Sequence, residues 1–107
     1  MTRRLNVQPL YPVVAMCRAA AVQEPIPEYH WHPDRRYRAD YAWPLHKILV
    51  EVDGGLWIAG GHSRGRARYH DMAKDRAAVL LGWRVLRYGP AELRQIPIDV
   101  AQLIAAM

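Results

Sequence analysis

Three carboxylates stand close together in the middle of the chain, on two segments with the composition of β-strands. Asp40 lies in RYRADYAW, and Glu51 and Asp53 lie in KILVEVD. Carboxylate oxygens are the ligands that Mg²⁺ and Mn²⁺ prefer in proteins. A bound divalent cation can activate water for attack on a phosphodiester. The residue types therefore predict a metal-dependent hydrolytic site.

The positions of the acids relative to Pro44 predict that two of them face each other across a hairpin. A two-residue turn at positions 45 and 46 would place Asp40 directly opposite Glu51. Opposed residues on antiparallel strands have Cβ atoms about 4.5–5.5 Å apart, so two carboxylates there repel each other. A divalent cation would offset that repulsion, which makes both acids predicted metal ligands.

Side-chain alternation adds a third acid to the same surface. Successive side chains of a strand point to opposite faces, so Glu51 and Asp53 share one face. The other face carries β-branched residues that suit a core, namely Ile48, Val50 and Val52. Asp53 is therefore the third predicted metal ligand.

A solvated acidic surface is the alternative explanation of the same pattern. Arg36 and Arg38 share the face of Asp40 and would pair with the acids there. A shift of the hairpin register by one residue would also change which side chains oppose each other. The residue pattern alone leaves both explanations open.

The chain is basic and rich in arginine. Its 15 Lys and Arg residues outnumber its 10 Asp and Glu residues, which gives a formal charge of +5, and its pI is about 9.8. Only Lys47 and Lys74 are lysines. The guanidinium fork binds phosphate oxygens bidentately. The charge is thus compatible with a nucleic-acid partner, although an ordinary basic protein has the same composition.

Further residues complete the predicted nucleic-acid site. Phosphate-backbone contacts, which give affinity without sequence preference, are predicted for Arg36, Arg38, Arg64, Arg66 and Arg68. Trp57 is predicted to stack on a base. His62, beside a scissile phosphate, would transfer a proton or donate a hydrogen bond to an oxygen. An exposed side chain without a role is the alternative for each.

The 107 residues predict one domain, with residues 1–9 as a basic arm. A single cysteine, Cys17, excludes an internal disulfide, and its apolar neighbours predict a buried thiol. No apolar run approaches the roughly 18 residues that span a bilayer, and the first residues do not resemble a secretory signal. A cytoplasmic protein is therefore expected.

Hydrophobic periodicity and the Gly and Pro residues predict an α-β-β-β-α-β-α order, which is an α/β domain with a central mixed sheet flanked by helices. The predicted helices cover residues 12–22, 68–81, and two segments that start near Pro90 and at Pro97; the predicted strands cover residues 28–32, 36–43, 47–53 and 83–88. Residues 56–66 are predicted to form a surface loop. In the helix over 68–81, a buried stripe is expected from Tyr69, Met72, Ala73, Ala77 and Leu80.

Residues 28–88 resemble the PD-(D/E)XK nuclease superfamily, in particular the small phage and bacterial endonucleases related to the very-short-patch-repair type. The resemblance rests on an Asp at the start of a hairpin, the EVDGG segment, a loop with His, and a helix that leads into GWRVLRY. It implies a restriction-endonuclease-like core and an Mg²⁺- or Mn²⁺-dependent DNA endonuclease that serves phage DNA processing, repair or junction resolution in a bacterial or phage-infected cell. Cleavage of both strands needs two sites, so a homodimer is compatible with it.

Carried over by position, Asp40 and Glu51 match the metal-binding acids of the family. Asp53 stands where the superfamily usually has a lysine, and Lys74 in the following helix is a relocated candidate for that catalytic lysine. The N-terminal helix lacks the additional Glu of such nucleases, which leaves Glu24 or Glu28 to substitute. The departure at Asp53 favours the alternative function, a non-catalytic nucleic-acid-binding module that retains the nuclease fold.

Overall fold

Strands and helices follow one another in the predicted order. The computed structural model describes residues 11–53 and 61–107, apart from the side chains of residues 61–64 and 67. The elements are α1 (Val13–Ala19), β1 (Ile26–His30), β2 (Arg38–Trp43), β3 (Ile48–Val52), α2 (Gly61–Leu80), β4 (Arg84–Tyr88) and α3 (Gln95–Ala105). Two short 3₁₀ turns cover Pro44–His46 and Pro90–Glu92. The predicted α-β-β-β-α-β-α order is confirmed, but the helix predicted to start near Pro90 is only a 3₁₀ turn, and the helix predicted from Pro97 begins at Gln95.

The four strands form one mixed sheet in the order β1-β2-β3-β4. β1 pairs with β2 and β2 with β3 in antiparallel fashion, whereas β3 and β4 are parallel. Two parallel strands need a crossover between them, and α2 provides it. The described part of the chain is therefore a small α/β domain with a four-stranded mixed sheet and three helices, which confirms the predicted α/β class with a central mixed sheet; the restriction-endonuclease-like core stays a prediction.

Helices cover both faces of the sheet. On one face, α1 and α3 contribute Val13, Cys17, Ile96 and Val100 to a buried cluster with the predicted core residues Ile48, Val50 and Val52. On the other face, Ala78 of α2 packs near Trp31, Leu49 and Trp83. The predicted burial of Cys17 is confirmed, and burial, with a smaller contribution from the charge of Glu24, raises the pKa of its thiol to about 11.

The predicted loop over residues 56–66 is wrong in its second half, because α2 already begins at Gly61. Each glycine costs a helix about 1 kcal/mol relative to alanine, so the glycines of this segment favour a loop. Nucleation is the expensive step of helix formation, and extension of an existing helix costs much less. The helix that was predicted from residue 68 therefore continues toward the N-terminus through polar residues.

The predicted buried stripe of α2 is wrong for its three large members, whereas Ala77 is partly buried against the core. Tyr69 is 76% exposed, Met72 45% and Leu80 84%. The side of α2 that lies against the sheet carries Lys74 and Asp75, which form ion pairs with charged residues of the strands. The side of the helix that faces inward is therefore not its most apolar side, and charged residues pair across the interface.

The C-terminal end of α2 is fixed by a Schellman motif around Gly82. The N–H of Trp83 donates to the carbonyl oxygen of Ala78 at 2.9 Å, and the N–H of Gly82 donates to that of Val79 at 2.9 Å. Gly82 has φ +87°, a conformation that glycine adopts without strain. The prediction that Gly82 ends this helix is confirmed.

Replacement of Gly82 by alanine is expected to destabilise the protein by about 1 kcal/mol, because a Cβ is strained at this positive φ. For a domain of this size, the melting temperature should fall by about 4–8 °C. Gly65 is the matched control: it lies within α2, and a Cβ added there would have no heavy atom within 4 Å, so Gly65→Ala should raise the melting temperature. Equal effects of the two substitutions would contradict this account.

Some predicted features lie outside the described residues. These are the basic arm over residues 1–9, the first part of the predicted loop (residues 56–60) with Trp57, and the side chains of His62 and Arg64. Among the helices in the described part of the chain, none has the length and apolar character to cross a membrane.

Candidate active site

The hairpin that carries the acids has the predicted register. Tyr41 pairs with Val50, Ala42 with Leu49, and the next pair is Trp43 with Ile48. The same register, continued by one position, places Asp40 opposite Glu51. The connection itself differs from the predicted two-residue turn, because the chain makes a 3₁₀ turn over Pro44–His46. It then closes at Lys47, which has φ 56°, so the longer connection preserves the pairing.

The carboxylate of Asp40 is held by the backbone of the neighbouring strand. Its Oδ2 accepts a hydrogen bond of 2.7 Å from the N–H of Val52. This bond lies beyond Tyr41–Val50, the last residue pair between β2 and β3. There the side chain of Asp40 accepts the hydrogen bond that a backbone carbonyl would otherwise accept. A hydrogen bond to an ionised carboxylate is stronger than one between neutral groups. This bond fixes Asp40 beside the strand that carries Glu51.

Glu51 is bound to the lysine of the helix above the sheet. Its Oε2 lies 2.8 Å from Nζ of Lys74, and the two side chains are only 13% and 15% exposed. Burial raises the pKa of Glu51, whereas Lys74 lowers it; the charge of Asp40 raises it and that of Arg87 lowers it. The structure therefore brings together three of the predicted site residues, Asp40, Glu51 and Lys74.

Arg87 is the neighbour of Glu51 on β4, since the parallel register pairs these two residues. It binds Asp75 of α2 through two hydrogen bonds, from Nε at 3.2 Å and from Nη2 at 2.8 Å. Its Nη1 also lies 3.9 Å from Asp71. We call Asp40, Glu51, Lys74, Arg87, Asp71 and Asp75 the charged cluster. It contains four carboxylates and two cations, so it carries an excess of negative charge.

Comparison with known proteins assigns no family to this chain. No protein-family model, curated protein or solved structure matches the chain. The resemblance of residues 28–88 to PD-(D/E)XK nucleases therefore stays a prediction. Function has to be inferred from the charges and contacts of the site itself.

The donor chemistry of Asp40 and Glu51 fits a hard divalent cation. Mg²⁺ is usually held by one or two carboxylates and retains several waters, so two neighbouring acids suffice. In the described ranges 11–53 and 61–107, no group of three or more His, Cys, Asp or Glu residues is arranged to hold a metal ion. Asp53 follows the end of β3, where its N–H donates to the carbonyl oxygen of Tyr88 at 2.7 Å. Its role as a metal ligand stays a prediction.

Lys74 weakens the case that repulsion between the acids requires a metal. The sequence pattern predicts that a cation offsets the repulsion between Asp40 and Glu51, but the ammonium of Lys74 already neutralises part of the charge of Glu51. A metal ion is therefore compatible with the pair without being required for folding.

Of the two candidates for the additional Glu, Glu28 lies near the site and Glu24 does not. Glu28 comes opposite Asp40 in the β1–β2 register, and both acids add to the effect of burial in raising the pKa of Tyr41. Arg38 lies 3.7 Å from Glu28, an acid outside the predicted trio of metal ligands. Glu24 instead forms an exposed ion pair with Arg18.

The two predicted arginine groups lie at neighbouring parts of the surface. Arg36, Arg38, Arg66 and Arg68 are all exposed. The ring of Tyr37 contacts the ring of His70 with centroids 5.8 Å apart, which joins the segment before β2 to the first half of α2. Both groups thus flank the same region of the fold, and their phosphate-binding role stays a prediction.

Sequence reasoning missed Arg87, Asp75 and the contact between Tyr37 and His70. The available signal was the spacing of Asp71, Lys74 and Asp75, because residues three and four apart lie on one side of a helix. A helix with charged residues on one side and apolar residues on another can face the sheet in two ways. The partner of Asp75, Arg87, comes beside Glu51 only through the parallel pairing of distant segments, which no local pattern indicates.

Proposed function

We propose that this protein is a metal-dependent endonuclease that hydrolyses phosphodiester bonds of DNA on a restriction-endonuclease-like core. The observation that carries the proposal is the contact of Lys74 with Glu51, at 2.8 Å, beside the opposed Asp40. Two carboxylates and a lysine, drawn from two strands and a helix, are the groups that such hydrolysis needs. The mixed sheet between helices supports the proposed core.

In this proposal, Asp40 and Glu51 hold an Mg²⁺ or Mn²⁺ ion. When bound, the ion supplies positive charge that polarises the phosphate and lowers the pKa of water. Lys74 orients the carboxylate of Glu51 and adds positive charge close to the phosphate. The hydrogen bond from Val52 keeps Asp40 in place, so neither acid has to reorganise during the reaction.

The exposed arginines supply the affinity for DNA. Arg36, Arg38, Arg66 and Arg68 offer guanidinium groups to successive phosphates, and such contacts weaken as the salt concentration rises. They carry no sequence information by themselves. Substrate preference would have to come from contacts to base edges or from DNA shape, and a homodimer stays a prediction.

A second candidate is a nucleic-acid-binding module without turnover. The bond between Lys74 and Glu51 also favours this function, because it satisfies the carboxylate without any metal. Asp53 also favours the binding module, because the nucleases that the chain resembles usually have a lysine at this position. The two functions share the DNA surface and differ in whether phosphodiester bonds are broken.

A cleavage panel tests the proposal. Labelled single-stranded, duplex, nicked, mismatched and branched DNA would be incubated with the protein and Mg²⁺ or Mn²⁺, with a chelator in parallel. We expect cleavage of at least one form that the chelator stops. Glu51→Gln should slow it by about 10²–10³-fold, the usual cost of removing one preorganised charged group from an active site.

Glu24→Gln is the matched control, because Glu24 is also bound to a basic side chain but lies in an exposed pair away from the site. This variant should cleave like the wild-type protein. Cleavage that is unchanged in Glu51→Gln would identify a contaminating nuclease and end the proposal. Salt-sensitive binding to every DNA form without any cleavage would support the binding module instead.

A further inference from the structure

The orientation of α2 is not the one that burial of apolar area favours. Its exposed side carries large apolar side chains, namely Tyr69, Met72, Val79 and Leu80. Its sheet-facing side carries Lys74 and Asp75, and the small Ala78 is the one described side chain of the helix that is fully buried. Removal of apolar surface from water is the main stabilising effect in folding, so rotation of α2 about its axis would bring a more apolar side against the sheet. A specific contact between the helix and the sheet must oppose that rotation.

The bond between Arg87 and Asp75 is suited to this task. Nε of Arg87 donates to Oδ2 of Asp75 at 3.2 Å, and Nη2 donates to Oδ1 at 2.8 Å. A bidentate pair of this kind fixes the direction of the contact as well as its distance. Asp75 is adjacent to Lys74 on α2, and Arg87 is adjacent to Glu51 across the sheet. The two ion pairs therefore cross the same interface side by side, and each one limits the rotation of the helix that carries the other.

We propose that Arg87 is a positioning residue that, through Asp75, sets the rotation of α2 about its axis and thereby holds Lys74 on Glu51. Arg87 does not contact the substrate in this scheme. It acts on the site through the helix, since loss of its fork leaves α2 free to turn its apolar side inward. The consequence for catalysis rests on the proposed function, whereas the effect on helix orientation does not.

Chemical labelling of lysine tests the proposal directly, because Lys74 and Lys47 are the only lysines. Acetylation at low reagent concentration, read by mass spectrometry, gives the reactivity of Lys74 relative to the exposed Lys47. In Arg87→Leu, we expect this ratio to rise about fivefold, the change that corresponds to loss of an ion pair worth about 1 kcal/mol. Oxidation of Met72, which is exposed in the wild-type protein, should fall in the same sample.

The opposite responses of Lys74 and Met72 separate rotation from loosening. A helix that merely detaches exposes both side chains, so a rise in both reactivities would overturn the proposal, as would an unchanged ratio of Lys74 to Lys47. Glu24→Gln, which breaks the bidentate pair with Arg18 elsewhere, should leave both reactivities unchanged. Arg87→Lys keeps the charge but lacks the guanidinium fork, so its Lys74 and Met72 reactivities should lie between those of Arg87→Leu and the wild type.

Two provisions keep the test decisive. If circular dichroism shows that Arg87→Leu does not fold, Asp75→Asn removes the partner charge with almost no change in volume, and the same two readouts apply to it. The labelling needs neither DNA nor a metal ion. A protein that cleaves no DNA can therefore still confirm or overturn the role of Arg87, and failure of the proposed function is distinguished from failure of this inference.

Discussion

The Asp40→Asn variant is expected to fold like the wild-type protein and to lose metal-dependent cleavage of DNA. The amide oxygen of asparagine can accept the hydrogen bond that Val52 donates to Asp40 at 2.7 Å, so the link between β2 and β3 survives. The negative charge beside Glu51 does not survive, and a neutral amide is a poor ligand for Mg²⁺ compared with a carboxylate. Under the proposed function, the cleavage rate should fall by about 10²–10³-fold.

Asp40→Ala separates the structural role of this residue from its charge. Alanine leaves the N–H of Val52 without its acceptor, which costs about 1–3 kcal/mol for a buried donor. Both variants should therefore lack cleavage, but only Asp40→Ala should lower the melting temperature markedly. Asp34→Asn, at an exposed position before β2, is the control and should match the wild type in both measurements. Wild-type cleavage by Asp40→Asn would exclude Asp40 from the chemistry.

Lys74→Met should destabilise the protein by about 3 kcal/mol at neutral pH, measured by chemical denaturation with a chelator present. The substitution leaves the largely buried carboxylate of Glu51 without its partner at 2.8 Å. Breaking a buried ion pair by removal of one partner costs about 3–5 kcal/mol, because the remaining charge is not solvated. For a domain of about 100 residues, the corresponding fall in melting temperature is about 15 °C.

The loss should depend on pH in a defined direction. In the folded wild-type protein the pKa of Glu51 is above its ordinary value of 4.5, chiefly through burial, and loss of Lys74 raises it further. A raised pKa in the folded state means that the contribution of the carboxyl group to stability is largest below the unfolded pKa. This contribution is lost as the pH rises through the folded pKa. Lys74→Met should therefore be least damaging near pH 4 and most damaging at about pH 8.

Two further variants check the cause. Glu51→Gln combined with Lys74→Met removes the ionisable group, so the double variant should recover most of the stability that the single variant loses at the higher pH. Lys47→Met changes the other lysine, whose ammonium lies 4.4 Å from the centroid of the Trp83 ring, and should show no such pH dependence. An equal loss for Lys74→Met at the acidic and the alkaline pH would show that Glu51 stays solvated.

The hairpin of the site was predictable because local signals determine it. Pro44 separates the two strands, and alternation assigns Ile48, Val50 and Val52 to one face and Glu51 to the other. The turn type differs from the prediction, but the register does not, since the 3₁₀ turn and the predicted two-residue turn give the same pairing. The end of α2 was predictable for a similar reason, because Gly82 supplies a conformation that other residues rarely adopt.

The orientation of α2 was not predictable from the local pattern. The spacing of Tyr69, Met72 and Leu80 is typical of a buried stripe, and the charged side of the helix does not by itself favour the opposite orientation. The competing effect comes from Arg87, which belongs to a strand that follows the helix and becomes a neighbour of Glu51 only through parallel pairing. A long-range contact thus overrides the orientation that periodicity within the helix favours.

The parallel pairing of β3 with β4 also bears on the order in which the protein folds. The β2–β3 hairpin is closed by a short connection, and such hairpins form within about 1–10 µs. The pairing of Glu51 with Arg87 instead has to wait for closure of the whole crossover, which is a slow, non-local event. Asp40 and Glu51 are therefore opposed early, before either cation arrives. The repulsion between the two acids is therefore expected to slow folding, and the pairing that compensates it forms among the last steps.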